Sequence, residues 1–149
     1  MSDGPIHDCI HRWHQLTRGE LEGGVDALLH PDVVFFSPIV FTPQRGRDIT
    51  KLYLSAAGAT LAGGAPTSAD DGPSFTEGSA FRYTKQILQG HHAMLEFETQ
   101  LEGKYANGVD IITCDDDGQI VEFKVMMRPL QAINAVHAQM KATLEQLKP

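Results

Sequence analysis

The chain has 149 residues, of which 42% are hydrophobic and 21% charged, with a formal net charge of −7. That length suits one domain able to bury about 70% of its unfolded surface, and the acidic balance argues against nucleic acid or any other polyphosphate as partner. Cys9 and Cys114 make no disulfide framework, and the longest apolar run, Val33 to Phe36, falls far short of the ~20 residues that a membrane helix needs.

No basic-then-apolar leader precedes the first helical pattern, so the expectation is a cytoplasmic protein with reduced thiols, away from membranes. In chain order, Ile6, Cys9, Ile10, Trp13, Leu16 and Thr17 recur at helical spacing behind Pro5, which fits a first turn. Gly19 breaks that helix. A short second helix carries Leu21, Val25, Leu28 and Leu29 before Pro31, and VVFFSP then reads as a strand ended by Pro38. After the loop TPQRGRD, Asp48 is a candidate N-cap for a third helix with Ile49, Leu52, Tyr53 and Ala56 as its buried stripe.

The segment 63–78 is rich in Gly, Pro, Ser and acid, cannot pack a core, and reads as one flexible loop, either a lid, a binding segment or simply disordered. The second half reads as a meander of strands at Phe81 to Leu88, His92 to Leu101, Tyr105 to Cys114 and Gln119 to Arg128. Their short connections predict antiparallel neighbours. Past Pro129 the helical period returns with Leu130, Ile133, Val136, Met140, Leu144 and Leu147. Helices followed by hairpins predict a single α+β domain, a curved antiparallel sheet with helices on one face.

Three local motifs carry a resemblance. They are Trp13 ahead of Val33-Val34-Phe35-Phe36-Ser37-Pro38, the pair Gly46-Arg47 leading into the third helix, and Val109-Asp110 running into the Asp116-Asp117-Gly118 turn and Ile120. Together with the element order they resemble the nuclear-transport-factor-2-like cone fold, which includes SnoaL-like cyclases and ketosteroid isomerases. The run Met126-Met127-Arg128-Pro129-Leu130 is similar to a bacterial subgroup with no function to carry over. The resemblance implies a sheet wrapped around N-terminal helices, a ligand held in the cone between them, and a homodimer. It also implies that Asp110, by its spacing from Gly118, stands where ketosteroid isomerases keep a protonated Asp that donates to a developing oxyanion. Where those enzymes have a proton-shuttling Asp before the strand-ending Pro, this chain has Ser37, and an alcohol is not a general base near neutral pH. Arg12, Trp13 and His14 occupy the region of their first-helix Tyr, and the Asp-Arg-Asp set of epoxide hydrolases of this fold finds no second carboxylate. Steroid isomerisation is therefore not the assignment that the resemblance supports.

Two hairpin registers give Asp110 two surroundings. A four-residue loop pairs Cys114 with Gln119 and puts Asp110 on a face with Ile112, Val121, Phe123, Val125 and Met127, where desolvation favours the neutral acid. A five-residue bulged loop turns it toward Lys124 in a surface pair. The inward reading makes Asp110 the candidate catalytic acid, with His14 as a pocket base or else an exposed helix residue. Candidate ligand-binding residues are Trp13, Phe36, Ser37, Tyr53, Ile112, Phe123, Val125 and Met127. Tyr53 and Tyr83 each have a hydroxyl to offer such a pocket.

His7, His11 and His14 share a helix stripe that can bind a metal, yet no motif supplies supporting carboxylates. Neither a metal nor a cofactor is expected. Glu96 and Glu98 alternate with apolar residues as a wet sheet face does. The sequence thus points to a protein that binds a small hydrophobic carbonyl or hydroxyl compound, with isomerisation, cyclisation, dehydration or epoxide opening in reach. The alternatives are a non-catalytic carrier or sensor and an interaction module of the same fold.

Overall fold

The computed structural model describes residues 4–62, 80–101 and 103–147. Helix α1 spans Pro5–Thr17, α2 Gly24–Leu28, α3 Arg47–Ala62 and α4 Leu130–Leu147. Strands are β1 Leu29–Phe36, β2 Gln44–Arg45, β3 Arg82–Gln89, β4 His92–Leu101, β5 Lys104–Cys114 and β6 Ile120–Arg128. The segment 63–78, expected to be one loop, lies outside the described residues.

Pro5 sits in the first turn of α1, and all six residues of the expected stripe, Ile6 to Thr17, are buried. The helix stops where Gly19 takes φ +73°. Its N–H donates to Leu16 O at 2.9 Å and that of Glu20 donates to Gln15 O at 2.8 Å, a Schellman closure that needs a left-handed residue. Leu29, expected in the second helix, instead opens β1, which starts earlier than Val33. Its pairing with β6 is irregular between Leu29 and Val34, where Pro31 has no N–H to give the ladder.

The stripe of α3 also differs from expectation. Thr50, Leu54, Ser55 and Ala56 are buried, whereas Ile49, Leu52 and Tyr53 are half-buried. Thr50 tolerates burial because its hydroxyl donates to Gly46 O at 2.8 Å. The helix packs against β1 on one side and α4 on the other, so its apolar surface is wider than one stripe.

The four meander strands fall within one residue of their expected bounds. They extend into a six-stranded sheet of order β2-β1-β6-β5-β4-β3. The sheet is mixed, because β1 lies parallel to β6 and every other pairing is antiparallel. On β4, Ala93, Leu95, Phe97, Thr99 and Leu101 are buried, and the alternating Glu96 and Glu98 face outward. There Glu98 pairs with Arg82 at 2.9 Å and Glu96 accepts from Asn107 at 3.0 Å. The helices cover only the inner face, which gives the α+β cone. Among the described residues no helix is long and apolar enough to cross a membrane.

Candidate functional site

Between the inner sheet face and the helices lies a cavity of about 40 Å³, room for roughly three waters at ~10–15 Å³ each. Trp13 of α1, Phe35 of β1, Leu54, Ala57, Gly58 and Leu61 of α3, Phe97 of β4, Phe123, Val125 and Met127 of β6, and Val136 and Met140 of α4 form its walls, with Pro38 and Phe81 from the loops. Asp110 of β5 is the one ionisable side chain in that lining.

A bulge orients Asp110. Cys114 pairs with Ile120, the register of the longer loop, but Thr113 then pairs with Glu122, so Val121 is an extra residue on β6. From there Ile112 meets Phe123 and Asp110 meets Val125. Asp110 faces inward, as the four-residue-loop reading has it, through a register that neither reading contains. The Lys124 pairing is overturned: Lys124 stands opposite Ile111 on the outer face, with its ammonium 4.8 Å from the centroid of the Phe36 ring.

Asp110 is 6% exposed, and its carboxyl is held in a directed chain. Trp13 Nε1–H donates to Tyr83 Oη at 3.0 Å, and Tyr83 Oη–H donates to Asp110 Oδ2 at 2.8 Å. An indole N–H can only donate, so the direction is fixed and the single Tyr83 proton belongs to Asp110. Oδ1 has no protein hydrogen-bond partner among the described residues. Burial pushes the Asp110 pKa from its ordinary 3.8 up to about 7, against the opposing effect of the Tyr83 hydrogen bond. Burial, and then the adjacent carboxylate, push Tyr83 well above its ordinary value of 10. Near neutral pH the site therefore holds a carboxyl poised between donor and acceptor, and a phenol that stays protonated.

Arg12 anchors the helix that carries Trp13. Its guanidinium pairs with Asp8 at 3.2 Å and donates to Gly118 O at 2.9 Å. Gly118 has φ +78°, and a Cβ there would come within 2.9 Å of that guanidinium. The acidic turn after β5 is thus clamped to α1.

Of the residues expected at the site, Trp13, Asp110, Phe123, Val125 and Met127 line the cavity. Ile112 is fully buried beside Asp110 but belongs to the packed core. Strand alternation turns Phe36 outward and sends Phe35 into the cavity in its place. Ser37 Oγ accepts from the backbone of Ile39 at 3.0 Å and of Val40 at 3.3 Å, so it organises a turn, and it is not part of this cavity's lining. Tyr53 packs on Phe35 at 5.4 Å, outside the lining. His14 lies behind Tyr83, edge-on at 5.7 Å, with Nε2 bound to Gln86 Oε1 at 2.9 Å, and does not reach the cavity. Among the described residues no group of three or more His, Cys, Asp or Glu is arranged to hold a metal. The Tyr83–Asp110 bond spans 27 residues of sequence and reaches across β4, which lies between β3 and β5 in the sheet, so no local pattern could have signalled it. Phe81 and Phe97, stacked with centroids 5.0 Å apart, carried no signal beyond ordinary core aromatics.

No family model matches the chain, and no curated protein sequence does. Among solved structures, it superposes with TM-score 0.77 on a steroid delta-isomerase from Pseudomonas aeruginosa, at 28% identity over 95% of this chain and 93% of that one. A protein with a cystatin-like fold, conserved in bacteria, from Silicibacter pomeroyi gives TM-score 0.73 at 29% identity over 93% and 86%. The chain has the nuclear-transport-factor-2-like fold. A further nuclear-transport-factor-2-like protein, from Mesorhizobium loti, shares the fold with TM-score 0.60 at 15% identity, over 84% of this chain and 92% of that one. Within this superfamily fold, the cavity sits inside the cone and Asp110 is its polar point.

Proposed function

We propose that this protein binds a small apolar carbonyl compound in the cone and moves a proton on it with Asp110, as an isomerase. The observation that carries the proposal is a carboxyl of pKa about 7 as the ionisable group of an otherwise apolar cavity. One such group suffices for isomerisation, because the proton it removes is the proton it returns. Asp110 Oδ1 takes a proton from the carbon between a carbonyl and a C=C bond. The electron pair spreads into a dienolate, and the same proton goes back at the far carbon, leaving a conjugated ketone and the carboxylate. Tyr83 keeps Oδ2 occupied, so Oδ1 is the working atom. The 28% identity to a steroid delta-isomerase supports this class of reaction without supplying the substrate. The cavity of about 40 Å³ favours a single ring over a steroid.

A test is the conversion of 3-cyclohexen-1-one to its conjugated isomer, followed by ultraviolet absorbance. Turnover should rise with pH to a plateau above about 7, the midpoint of the carboxyl, and vanish in Asp110→Asn. Equal rates for parent and variant would refute the reading. A carrier is the second reading, favoured because no other ionisable residue lines the cavity among those described: a lone polar group fixes ligand orientation and need do no chemistry. The proposal extends to a homodimer through the outer sheet face, where Ile87 is 54% and Met126 51% exposed.

A further inference from the structure

We infer that the cavity is also a receptor for small organic ammonium ions, with Asp110 as counter-charge and a surround of aromatic rings as the walls. This goes beyond the proton-transfer reading: it names a different ligand class and requires no turnover.

Three features converge. First, Asp110 has no ion pair with any cation among the described residues, and its buried carboxylate is stabilised by one hydrogen bond, from Tyr83. A buried charge without a partner is costly, and a ligand that brings the opposite charge removes that cost. Second, Trp13, Phe35, Phe81, Phe97 and Phe123 all line the same small space. Aromatic faces carry negative charge density and attract desolvated cations, ammonium groups above all. Third, the chain carries a net charge of −7, which draws cations toward it and repels carboxylates.

No competing charge faces the carboxyl. From α1 Trp13 shares its cavity, from β3 Tyr83 donates to it, and Leu95 on β4 and Val125 on β6 are its cross-strand neighbours. The residues of α3 and α4 that line the cavity are apolar. Burial and the Tyr83 hydrogen bond are the influences on its proton, so an ammonium ion entering the cavity competes directly with that proton.

The test compares cyclopentylamine with cyclopentanol, near-isosteres that differ in charge, by titrating the emission of Trp13, the single tryptophan of the chain. The amine stays an ammonium ion throughout the range used, as lysine does with its pKa of about 10.4. At pH 8.5 the amine should bind at least tenfold more tightly than the alcohol. By pH 5.5, with Asp110 protonated, the preference should shrink toward unity. Asp110→Asn should abolish the preference. Equal affinities at pH 8.5, a preference indifferent to pH, or no response of Trp13 to the amine would overturn the inference. The pH comparison uses the unaltered chain, so a misfolded variant cannot rescue it. Loss of the amine preference beside continued turnover of 3-cyclohexen-1-one would sink this inference alone; the reverse pattern would sink the isomerase reading alone.

Discussion

Replacing Asp110 by Asn should stabilise the protein at neutral and alkaline pH. The side chains have the same shape, and the amide oxygen can still accept from Tyr83, so packing and the Trp13–Tyr83 contact are kept. What changes is the proton. The folded carboxyl holds it to about pH 7, and the unfolded one releases it near 3.8. Between those values the native state binds a proton that the unfolded state has lost, so stability falls as pH rises through the window. At about 1.4 kcal/mol per unit, the difference amounts to roughly 4 kcal/mol once the pH exceeds 7. Asn has no such dependence. Urea unfolding of both proteins from pH 4 to 8.5 should therefore show curves that coincide near pH 4 and diverge to about 4 kcal/mol in favour of the variant. Other carboxylates titrate alike in both and cancel. A constant difference across that range, or a variant that is less stable at pH 8, would refute the claim that this acid is buried without a counter-charge.

Tyr83→Phe removes the acceptor of the Trp13 N–H and the donor to Asp110. It should cost about 1–3 kcal/mol in denaturant melts and raise the Asp110 titration midpoint, because that hydrogen bond favours the carboxylate. An unchanged midpoint would mean that the chain of bonds does not exist in solution. Gly108→Ala should also destabilise. The new Cβ would overlap Phe97 Cζ and sit 2.8 Å from Met126 O, and the carbonyl cannot swing aside. A loss of about 1–3 kcal/mol is expected, and an unaltered Tm would show that Phe97 is not seated over this glycine.

Much of the fold was legible because local patterns and tertiary demands agree. The α1 stripe is buried at every expected position, and the alternation on β4 assigns its faces without ambiguity. Legibility failed where a residue answers to more than one neighbour. The surface of α3 is shared between β1 and α4, so a one-stripe pattern misjudged Ile49 and Leu52. Two adjacent phenylalanines fit a strand in either phase, and only the coordinates distinguish Phe35 from Phe36. The orientation of Asp110 depends on one extra residue at Val121, which leaves no mark in composition. Tyr83 lies on a strand whose other residues are mostly exposed, so its hydroxyl looked like one of several and not like the partner of the buried acid.

The protonation state of Asp110 is directly observable by following its side-chain carboxyl carbon in selectively 13C-labelled protein through a pH titration. A midpoint near 7 is predicted for the folded chain, moving upward in Tyr83→Phe. A midpoint near 4, where an ordinary solvated aspartate titrates, would contradict the buried, unpaired carboxyl on which both the proposed chemistry and the ammonium site depend.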